Sequence, residues 1–302
     1  MLLSLPLLAC AAVRLALAFP QPAKLTKDIE HDPSVVKTPD GTYILVGTGK
    51  AIPTFASTDR LSWTKVGDAF PDGAPEAALA LAGNKDVWAP DISFVNDIYI
   101  LYYSTSTFGT QKSAIWLATS PTGLPGSWTD KDKVLESKEG DPYNAIDAHL
   151  FVSSNGSRHL VWGSYWSGIF LGNVDAKTGL LTSDEFVNLA ARPGAGVIEA
   201  PWLYERDGVF YLFTSWDQCC EGTKSTYHMR VATSRSLVGP YLDSHGKAAL
   251  EGHMTLLMDS HDDVYGPGGQ SLLDDDDGVL LVYHRYFGTG STGLLSLNVL
   301  DF

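Results

Sequence analysis

The chain has 302 residues, of which 44% are hydrophobic and 11% aromatic, and its formal net charge is −14. This composition is typical of a globular protein with a sizeable core. The charge argues against nucleic acid as a partner, because nothing would neutralise the phosphates. It also disfavours strongly acidic polymers, so a neutral ligand is expected.

The first element is an apolar segment, MLLSLPLLACAAVRLALA, that ends in Ala16-Leu17-Ala18. Small residues at this spacing are typical of a signal-peptide cleavage site. We therefore expect residues 1–18 to be a signal peptide and the protein to be secreted. The segment is shorter than the ~20 apolar residues of a membrane-spanning helix, and no later segment approaches that length, so a membrane anchor is not expected.

Five predicted β-hairpins follow, all in one register. In the first, an Asp40-Gly41 turn separates DPSVVKTP from TYILVGTG, and Asp32 lies eight positions before the turn. Such turn pairs between apolar segments are strong hairpin signals. The turns of the other four hairpins are Asn96-Asp97, Asn155-Gly156, Asp207-Gly208 and Asp277-Gly278. The residues eight positions before these turns are, in the same order, Trp88, Asp147, Glu199 and Gly269.

The hairpins recur at intervals of about 50 to 70 residues, and further strand-like segments, such as SAIWLATSPTGLPGSWTD, follow them. Helical periodicity is nearly absent. Repeated four-stranded units of this length predict an all-β fold, a five-bladed β-propeller. Residues 19–302 are expected to form it as a single domain.

Equivalent positions of the innermost propeller strands meet around the axis, so Asp32, Asp147 and Glu199 are expected to converge there. Burial and like charges raise the pKa of some converging acids. One protonated and one ionised carboxyl group are the requirement for glycosidic cleavage. A metal site is the other use of clustered acids, and each acid alone could be a solvated strand-end residue. Three in one register favour a shared site.

Aromatic residues beside these acids could stack on sugar rings, although each could equally pack in the core. The candidates are Trp88, Phe108, Tyr165 and Trp166. His284 lies seven residues after the fifth turn, on a strand expected near the axis. It is either a core histidine or a ligand of a bound group.

Cysteine usage and one sequon support an oxidising compartment. Cys10 lies in the predicted signal peptide, and Cys219 and Cys220 are adjacent. Neighbouring Cα atoms are ~3.8 Å apart, closer than an ordinary disulfide prefers. In an oxidising compartment a bridge between Cys219 and Cys220 is nevertheless favoured over two free thiols. Asn155 begins an Asn-Gly-Ser sequon in a predicted turn, where a glycan is expected.

Segments spread over nearly the whole of residues 19–302 resemble one family in the same order. They are HDPSVVKTPDGTY, VWAPDISF, STSTFG, YNAIDAHLF, WGSYWSGIF, IEAPWLYERDGVFYLF, WDQCCEG, SLVGPYL and YGPGG followed by VYHRY. Their combination resembles the family-43 glycoside hydrolases, specifically the fungal endo-1,5-α-L-arabinanases. The resemblance implies a five-bladed propeller that cleaves internal linkages of the neutral polysaccharide arabinan in one inverting step.

The resemblance also implies residue roles. Asp32 would be the general base that activates water, Glu199 the general acid, and Asp147 the third carboxylate that tunes and orients the acid. Implied substrate contacts are Trp88, Phe108, Gly109, Asn144, Ala145, Ile146, Ser164, Tyr165 and Trp166. A structural calcium ion is implied near the axis, with His284 and waters as ligands. Relatives carry a histidine at the position of Gly269, and its loss is expected to weaken the metal shell or the substrate floor.

Two other readings stay open. The same scaffold could carry an exo-acting α-L-arabinofuranosidase or β-xylosidase, or it could be a sugar-binding propeller without catalysis, which would not need three acids in register. The chain ends at LNVLDF, near the point where a last strand should close the ring. We therefore expect the N-terminal segment to pair with the last blade, and the protein to be a monomer.

Overall fold

A computed structural model describes residues 31–82, 86–194 and 196–302, together with the backbone of residues 14–15 and 21–22. Strands dominate this part of the chain, and they form five antiparallel sheets arranged as the five blades of a propeller. The predicted fold class is therefore confirmed. Apart from Arg14 and Leu15, the predicted signal peptide lies outside the described residues.

The strands are numbered in chain order. Two short N-terminal strands are β1 (Arg14–Leu15) and β2 (Gln21–Pro22). Blade 1 consists of β3 (Ser34–Lys37), β4 (Tyr43–Val46), β5 (Pro53–Ser57) and β6 (Thr64–Asp68). Blade 2 consists of β7 (Trp88–Val95), β8 (Ile98–Ser106), β9 (Ser113–Ser120) and β10 (Thr129–Ser137). Blade 3 consists of β11 (His149–Val152), β12 (Arg158–Trp162), β13 (Ile169–Val174) and β14 (Val187–Ala190).

Blades 4 and 5 follow the same plan. Blade 4 consists of β15 (Ile198–Arg206), β16 (Val209–Trp216), β17 (His228–Ser234) and β18 (Thr255–Met258). Blade 5 contains β19 (Tyr265–Asp275), β20 (Gly278–Tyr286) and β21 (Gly293–Asp301). The helical elements among the described residues are α1 (Glu76–Ala82) and two 3₁₀ turns, Gly222–Lys224 and Ala249–Glu251. No helix in the described ranges is long and apolar enough to cross a bilayer.

The ring closes through both ends of the chain. The innermost strands β3, β7, β11, β15 and β19 contact one another in sequence, and β19 contacts β3. The outer edge of blade 5 is completed by β1 and β2, which both pair antiparallel with β21. The expected pairing of the N-terminal segment with the last blade is confirmed. The pairing of Gln21–Pro22 lies beyond the predicted cleavage site after Ala18.

The hydrophobic core lies between the blades and leaves the axis to other residues. Within the described residues, each of five apolar clusters fills the space between one pair of neighbouring blades. Side chains alternate across a strand, so in β4 Ile44 and Val46 face blade 2, whereas Tyr43 and Leu45 face blade 5. The apolar side chains thus pack between the blades, and polar side chains can line the central axis.

Hairpin turns join the first two strands of all five blades, as predicted. In blade 5 the turn is Asp276-Asp277, one residue before the predicted Asp277-Gly278, because Asp275 pairs with Gly278. In blade 2 the turn residues Asn96 and Asp97 both have positive φ, 53° and 62°, and in blade 4 Asp207 and Gly208 have φ of 52° and 69°. Positive φ at both central residues matches the twist of the flanking strands, which explains the Asn, Asp and Gly found there.

At the other end of the blades, where the innermost strands begin, the backbone turns a second time. There one equivalent residue of each blade has positive φ, namely Asp32, Ala89, Asp147, Ala200 and Gly269. The predicted register is therefore shifted by one residue in blades 2 and 4, where Trp88 and Glu199 precede the equivalent position. The hairpin loops differ in length, since Lys37 pairs with Tyr43 and Val152 with Arg158 in blades 1 and 3, but Val95 pairs with Ile98 and Arg206 with Val209 in blades 2 and 4. Equal spacing from the turn therefore does not mark equivalent positions. Left-handed backbone at non-glycine residues is strained and concentrates at functional sites.

Candidate active site

The three acids predicted to converge do so at this end of the axis. The backbone N–H of Ala200, next to Glu199, donates to Asp147 Oδ2 over 3.0 Å. Asp32, Asp147 and Ala200 line one small axial cavity of about 40 Å³. The residues come from blades 1, 3 and 4, so the propeller brings together side chains more than a hundred positions apart in the sequence.

Asp32 is fixed by polar contacts on two sides. The Thr48 hydroxyl donates to Asp32 Oδ2 over 2.6 Å, and the Ala89 N–H donates to the same hydroxyl over 2.8 Å. The Asp32 N–H donates to His284 Nδ1 over 3.2 Å. Asp32 thus has one oriented carboxylate oxygen, and the site links blades 1, 2 and 5.

Glu199 is held by two hydroxyl groups. Ser164 Oγ donates to Glu199 Oε2 over 2.7 Å, and Tyr227 Oη donates to Oε1 over 2.9 Å. Burial raises the pKa of Glu199, the two hydroxyl bonds oppose that rise, and the charge of Asp32 adds to it, leaving a net increase. A carboxyl group with a raised pKa can keep its proton and act as an acid.

Asp147 lies between the other two acids. Burial, followed by the charges of Glu199 and Asp32, raises the pKa of Asp147 well above its usual value, and the bond from Ala200 N–H opposes the rise only in part. None of the described lysines or arginines forms an ion pair with Asp32, Asp147 or Glu199. No cation among the described residues therefore offsets the rise that burial causes in the pKa values of Asp147 and Glu199.

His284 is buried behind Asp32 among aromatic rings. Its Nδ1 accepts from Asp32 N–H, so its Nε2 carries the hydrogen and donates to Tyr286 Oη over 3.1 Å. Its ring stacks on Tyr227 at 9°, with centroids 5.8 Å apart, and lies 4.4 Å from the His31 ring. Burial, then the neighbouring His31, lowers the pKa of His284 well below its usual value. A neutral imidazole is the form that ligates metals.

Gly269 closes the site from blade 5. Its φ is +58°, and a Cβ atom there would lie 2.7 Å from Asp32 Oδ1 and 2.7 Å from His284 Nδ1. The backbone of Gly269 therefore packs directly against the base candidate and the histidine. A side chain at this position requires both groups to move, so the glycine is needed for close packing.

A larger cavity, about 660 Å³, opens at the opposite end of the axis. Its walls include Val36, Phe94, Val152 and Leu272, and none of the three acids lines it. Cavity size alone would therefore point to the hairpin end of the axis, away from the three acids.

Comparison with known proteins agrees with this geometry. Residues 25–295 match the family model described as glycosyl hydrolases family 43. The chain belongs to glycosyl hydrolase family 43.

Individual members of family 43 are similar over most of their length. A probable arabinan endo-1,5-α-L-arabinosidase A of Aspergillus flavus is 39% identical over 90% of this chain and 88% of its own. An extracellular endo-α-(1→5)-L-arabinanase 1 of Bacillus subtilis is 38% identical over 86% of this chain and 81% of its own. A crystal structure of an exo-1,5-α-L-arabinanase from a bovine ruminal metagenomic library matches with a TM-score of 0.83 and 33% identity, covering 92% of this chain and 100% of that one.

The predicted substrate residues of this family-43 chain fall into an exposed and a buried group. Phe108 is 84% exposed in the loop after β8, beside Gly109, and Tyr165 and Trp166 are 38% and 44% exposed. Trp88, at the start of β7, is half-buried. Asn144, Ala145 and Ile146 are buried, and Ala145 belongs to the core between blades 2 and 3. Ser164 is buried against Glu199.

The two remaining predicted modifications lie on opposite ends of the blades. Cys219 and Cys220 are joined by a disulfide in the loop after β16, and Tyr286 Oη lies 3.8 Å from Cys220 Sγ. Asn155 lies in the exposed hairpin turn of blade 3, where its side-chain oxygen accepts from Ser157 N–H over 2.9 Å. Glycosylation at Asn155 stays a prediction.

Sequence reasoning missed several residues that shape the site. Thr48 orients Asp32, Tyr227 holds Glu199, and His31 lies against His284. His31 directly precedes Asp32, so adjacency was an available signal. Thr48 and Tyr227 lie in segments without a recognisable motif, and only the fold brings them to the acids.

Proposed function

We propose that this protein is an inverting endo-1,5-α-L-arabinanase. The observation that carries the proposal is the convergence of Asp32, Asp147 and Glu199 without a cationic partner, on a chain 39% and 38% identical to relatives named for this activity. The exposed Phe108, Tyr165 and Trp166 supply apolar surfaces for sugar rings.

Each acid has one role in the proposed reaction. The raised pKa of Glu199 lets it donate a proton to the glycosidic oxygen as the bond to the anomeric carbon breaks. Asp32 takes a proton from the water that attacks the opposite face of that carbon, which inverts its configuration. Asp147 accepts the Ala200 N–H bond and so orients the backbone next to Glu199.

The direct test is a reducing-sugar assay on linear arabinan with xylan as the comparison substrate. Release from arabinan alone, as mixed oligosaccharides by chromatography, supports an endo-acting arabinanase. Release from xylan instead would contradict the substrate. Proton NMR of the first products reports the anomeric configuration, and retention would contradict the single-step reaction.

An exo-acting enzyme is the second candidate, because the exo-1,5-α-L-arabinanase structure covers 92% of this chain at a TM-score of 0.83. Loops around the acids decide whether the cleft is open at both ends. A single product of one size from the earliest time points would favour the exo-acting enzyme over the endo-acting one.

Secretion is part of the proposal. It is supported by the apolar N-terminal segment, the Cys219–Cys220 disulfide and the similarity to a relative named extracellular. Mass spectrometry of the protein purified from culture medium is expected to give a mature N-terminus near Phe19. Retention of the protein in the cells, with an intact N-terminus, would contradict secretion.

A bound cation beside His284 is also proposed. Ligand atoms of His31, Asp32 and His284 lie within 4.8 Å of one another. Calcium prefers six to eight oxygen ligands, so this set would supply one carboxylate and leave most positions to water; the histidines suit a softer metal better. Elemental analysis after chelation and reloading, with His284→Ala as the control, decides which ion binds and whether the site holds one.

A further inference from the structure

A second ring of side chains lies below the acids, two residues further along each innermost strand from its positive-φ residue. Its members are Ser34, Asp91, His149, Trp202 and Ser271. Asp91 and His149 are 2% and 5% exposed, and the reaction described above uses neither. They line the same small axial cavity as Asp32 and Asp147.

Asp91 connects the strands that carry two of the acids. The Ser34 hydroxyl, two residues after Asp32, donates to Asp91 Oδ1 over 3.3 Å. The Leu150 N–H, three residues after Asp147, donates to Asp91 Oδ2 over 2.8 Å. One buried carboxylate in blade 2 therefore binds blades 1 and 3 at their innermost strands.

His149 extends the connection to the strand of the third acid. Its Nε2 lies 3.1 Å from the Leu203 carbonyl oxygen, and its ring stacks on Trp202 at 20° with centroids 3.7 Å apart. Trp202 is three residues after Glu199. Because a carbonyl only accepts, the Nε2 atom must carry a hydrogen and donate it.

With the hydrogen on Nε2, the nitrogen of His149 that faces Asp91 is Nδ1. The other ring nitrogen of His149, Nδ1, is buried, forms no hydrogen bond and lies 3.5 Å from Asp91 Oδ1. If His149 were neutral and Asp91 ionised, a nitrogen lone pair would face a carboxylate oxygen in a site shielded from water. The contact becomes favourable when one proton lies between the two groups.

We propose that Asp91 and His149 share one buried proton and act as a positioning pair that fixes the strands of Asp32, Asp147 and Glu199 relative to one another. The inference rests on the proposed function, because it concerns the geometry of that reaction. The shared proton also keeps the pair uncharged overall, so that Asp91 does not add another negative charge beside Asp32 and Asp147.

Asp91→Ala, Asp91→Asn and His149→Phe test the pair by steady-state kinetics on linear arabinan. Asp91→Ala is expected to lower kcat roughly 10- to 100-fold with KM nearly unchanged, because displacing reacting groups by about 1 Å costs this much. In Asp91→Asn the amide can still accept from Leu150 and can donate to His149 Nδ1, so most of kcat returns. His149→Phe keeps the stacking on Trp202 and loses kcat, which provides a second variant if Asp91→Ala does not fold.

A matched control and a spectroscopic measurement separate positioning from stability. Tyr241→Phe removes another hydrogen bond of a buried side chain, to the Leu237 carbonyl, in the core between blades 3 and 4. It should lower the melting temperature while leaving kcat unchanged. In the ¹⁵N spectrum of labelled histidine, Nδ1 of His149 is expected to carry or closely share a proton in the natural protein, and to become a free unprotonated nitrogen in Asp91→Ala.

Two results would overturn the pair. One is a natural protein whose His149 Nδ1 is already free and unprotonated; the other is an Asp91→Ala variant whose kcat falls no more than that of Tyr241→Phe. If the natural protein fails to cleave arabinan, the proposed function fails on its own. In that case the ¹⁵N spectrum still decides whether His149 and Asp91 share a proton. Crystal structures of Asp91→Asn and His149→Phe still decide whether the pair fixes the positions of the three acids.

Discussion

Carboxyl groups at the two ends of the innermost strands have opposite surroundings. At the hairpin end, the side chain of Asp275 is 1% exposed and is bonded to Lys37 and Arg60, each over 2.7 Å, and to the Tyr43 hydroxyl. Burial alone would raise its pKa, but these bonds outweigh burial and lower the pKa to about 2. At the other end, Asp147 and Glu199 are half-buried, no described lysine or arginine pairs with them, and burial raises their pKa values.

Carboxyl groups at one end of the blades therefore contribute to the stability of the fold, and those at the other end to catalysis. Asp275 lies on blade 5 and its cations on blade 1, so the compensated acid helps to close the ring. The uncompensated acids weaken the fold, because ionising a buried carboxyl group without a partner is costly, but they hold the proton that catalysis needs. The following changes test this contrast, from the largest expected effect to the smallest.

Removing the acid or the base should abolish activity. Glu199→Gln and Asp32→Asn are each expected to lower kcat on linear arabinan by about 10²- to 10⁴-fold, the usual contribution of general acid or base catalysis. Asp274→Asn, which loses a charge at the hairpin end near Tyr204, is the control and should keep its activity. Near-normal rates in either first variant would rule out the assigned roles.

Gly269→Ala should impair catalysis through crowding. The added Cβ atom would lie 2.7 Å from Asp32 Oδ1, in backbone with φ of +58°, so the base must move. We expect kcat to fall about 100-fold, measured beside Gly156→Ala, whose Cβ atom meets nothing within 4 Å at a similar positive φ. Equal losses of activity in both variants would show that backbone strain, and not contact with Asp32, is the cause.

Asp275→Ala should act on stability and spare catalysis. Loss of a buried ion-pair partner costs about 3 kcal/mol, so the melting temperature should fall by several degrees at pH 7, whereas kcat at a permissive temperature stays the same. The pKa of Asp275 is depressed in the folded protein, so its stabilisation is present above the ordinary value of 3.8 and is lost as the pH falls towards about 2.

Thermal unfolding between pH 7 and pH 2.5 checks this expectation. The gap between the natural protein and Asp275→Ala should close as the pH falls. Asp276→Ala, which removes a largely exposed carboxylate that also bonds Lys37, should change the melting temperature little. A gap that persists at the lowest pH would contradict the assignment of the stability to the charge of Asp275.

Tyr227→Phe should give the smallest effect, a shift in the pH profile. The Tyr227 hydroxyl bond lowers the pKa of Glu199 by stabilising its ionised form. Without it the pKa rises further, so Glu199 keeps its proton to higher pH and the alkaline limb of kcat/KM should move upward, by up to about one unit. A limb that stays in place or moves to lower pH would show that Glu199 is not the group that titrates there.

Much of the fold was predictable because each blade repeats one local pattern. Each predicted turn pair contains a residue with positive φ, which Asn, Asp and Gly tolerate, so local sequence was enough to place four hairpin turns and the fifth to within one residue. The register was less predictable. Trp88 and Glu199 lie one residue early, because the hairpin loops of blades 2 and 4 are shorter than those of blades 1 and 3.

The surroundings of the site were largely hidden from sequence reasoning. Thr48, Tyr227 and the Asp91–His149 pair are ordinary strand or loop residues when read along the chain. Their roles come from neighbours in other blades, such as Asp32 for Thr48 and Glu199 for Tyr227. Ala145 shows the converse, since the resemblance predicts a substrate contact where the structure has a core side chain.

The sequence by itself determined that this protein is a five-fold repeat of β-hairpins carrying Asp32, Asp147 and Glu199, because turn chemistry and side-chain alternation are local properties. Only the tertiary structure decided which acids lack a cation, that Gly269 touches both Asp32 and His284, and which end of the axis is reactive. Burial and electrostatic interaction depend on distances between blades, and those distances are set when the ring closes.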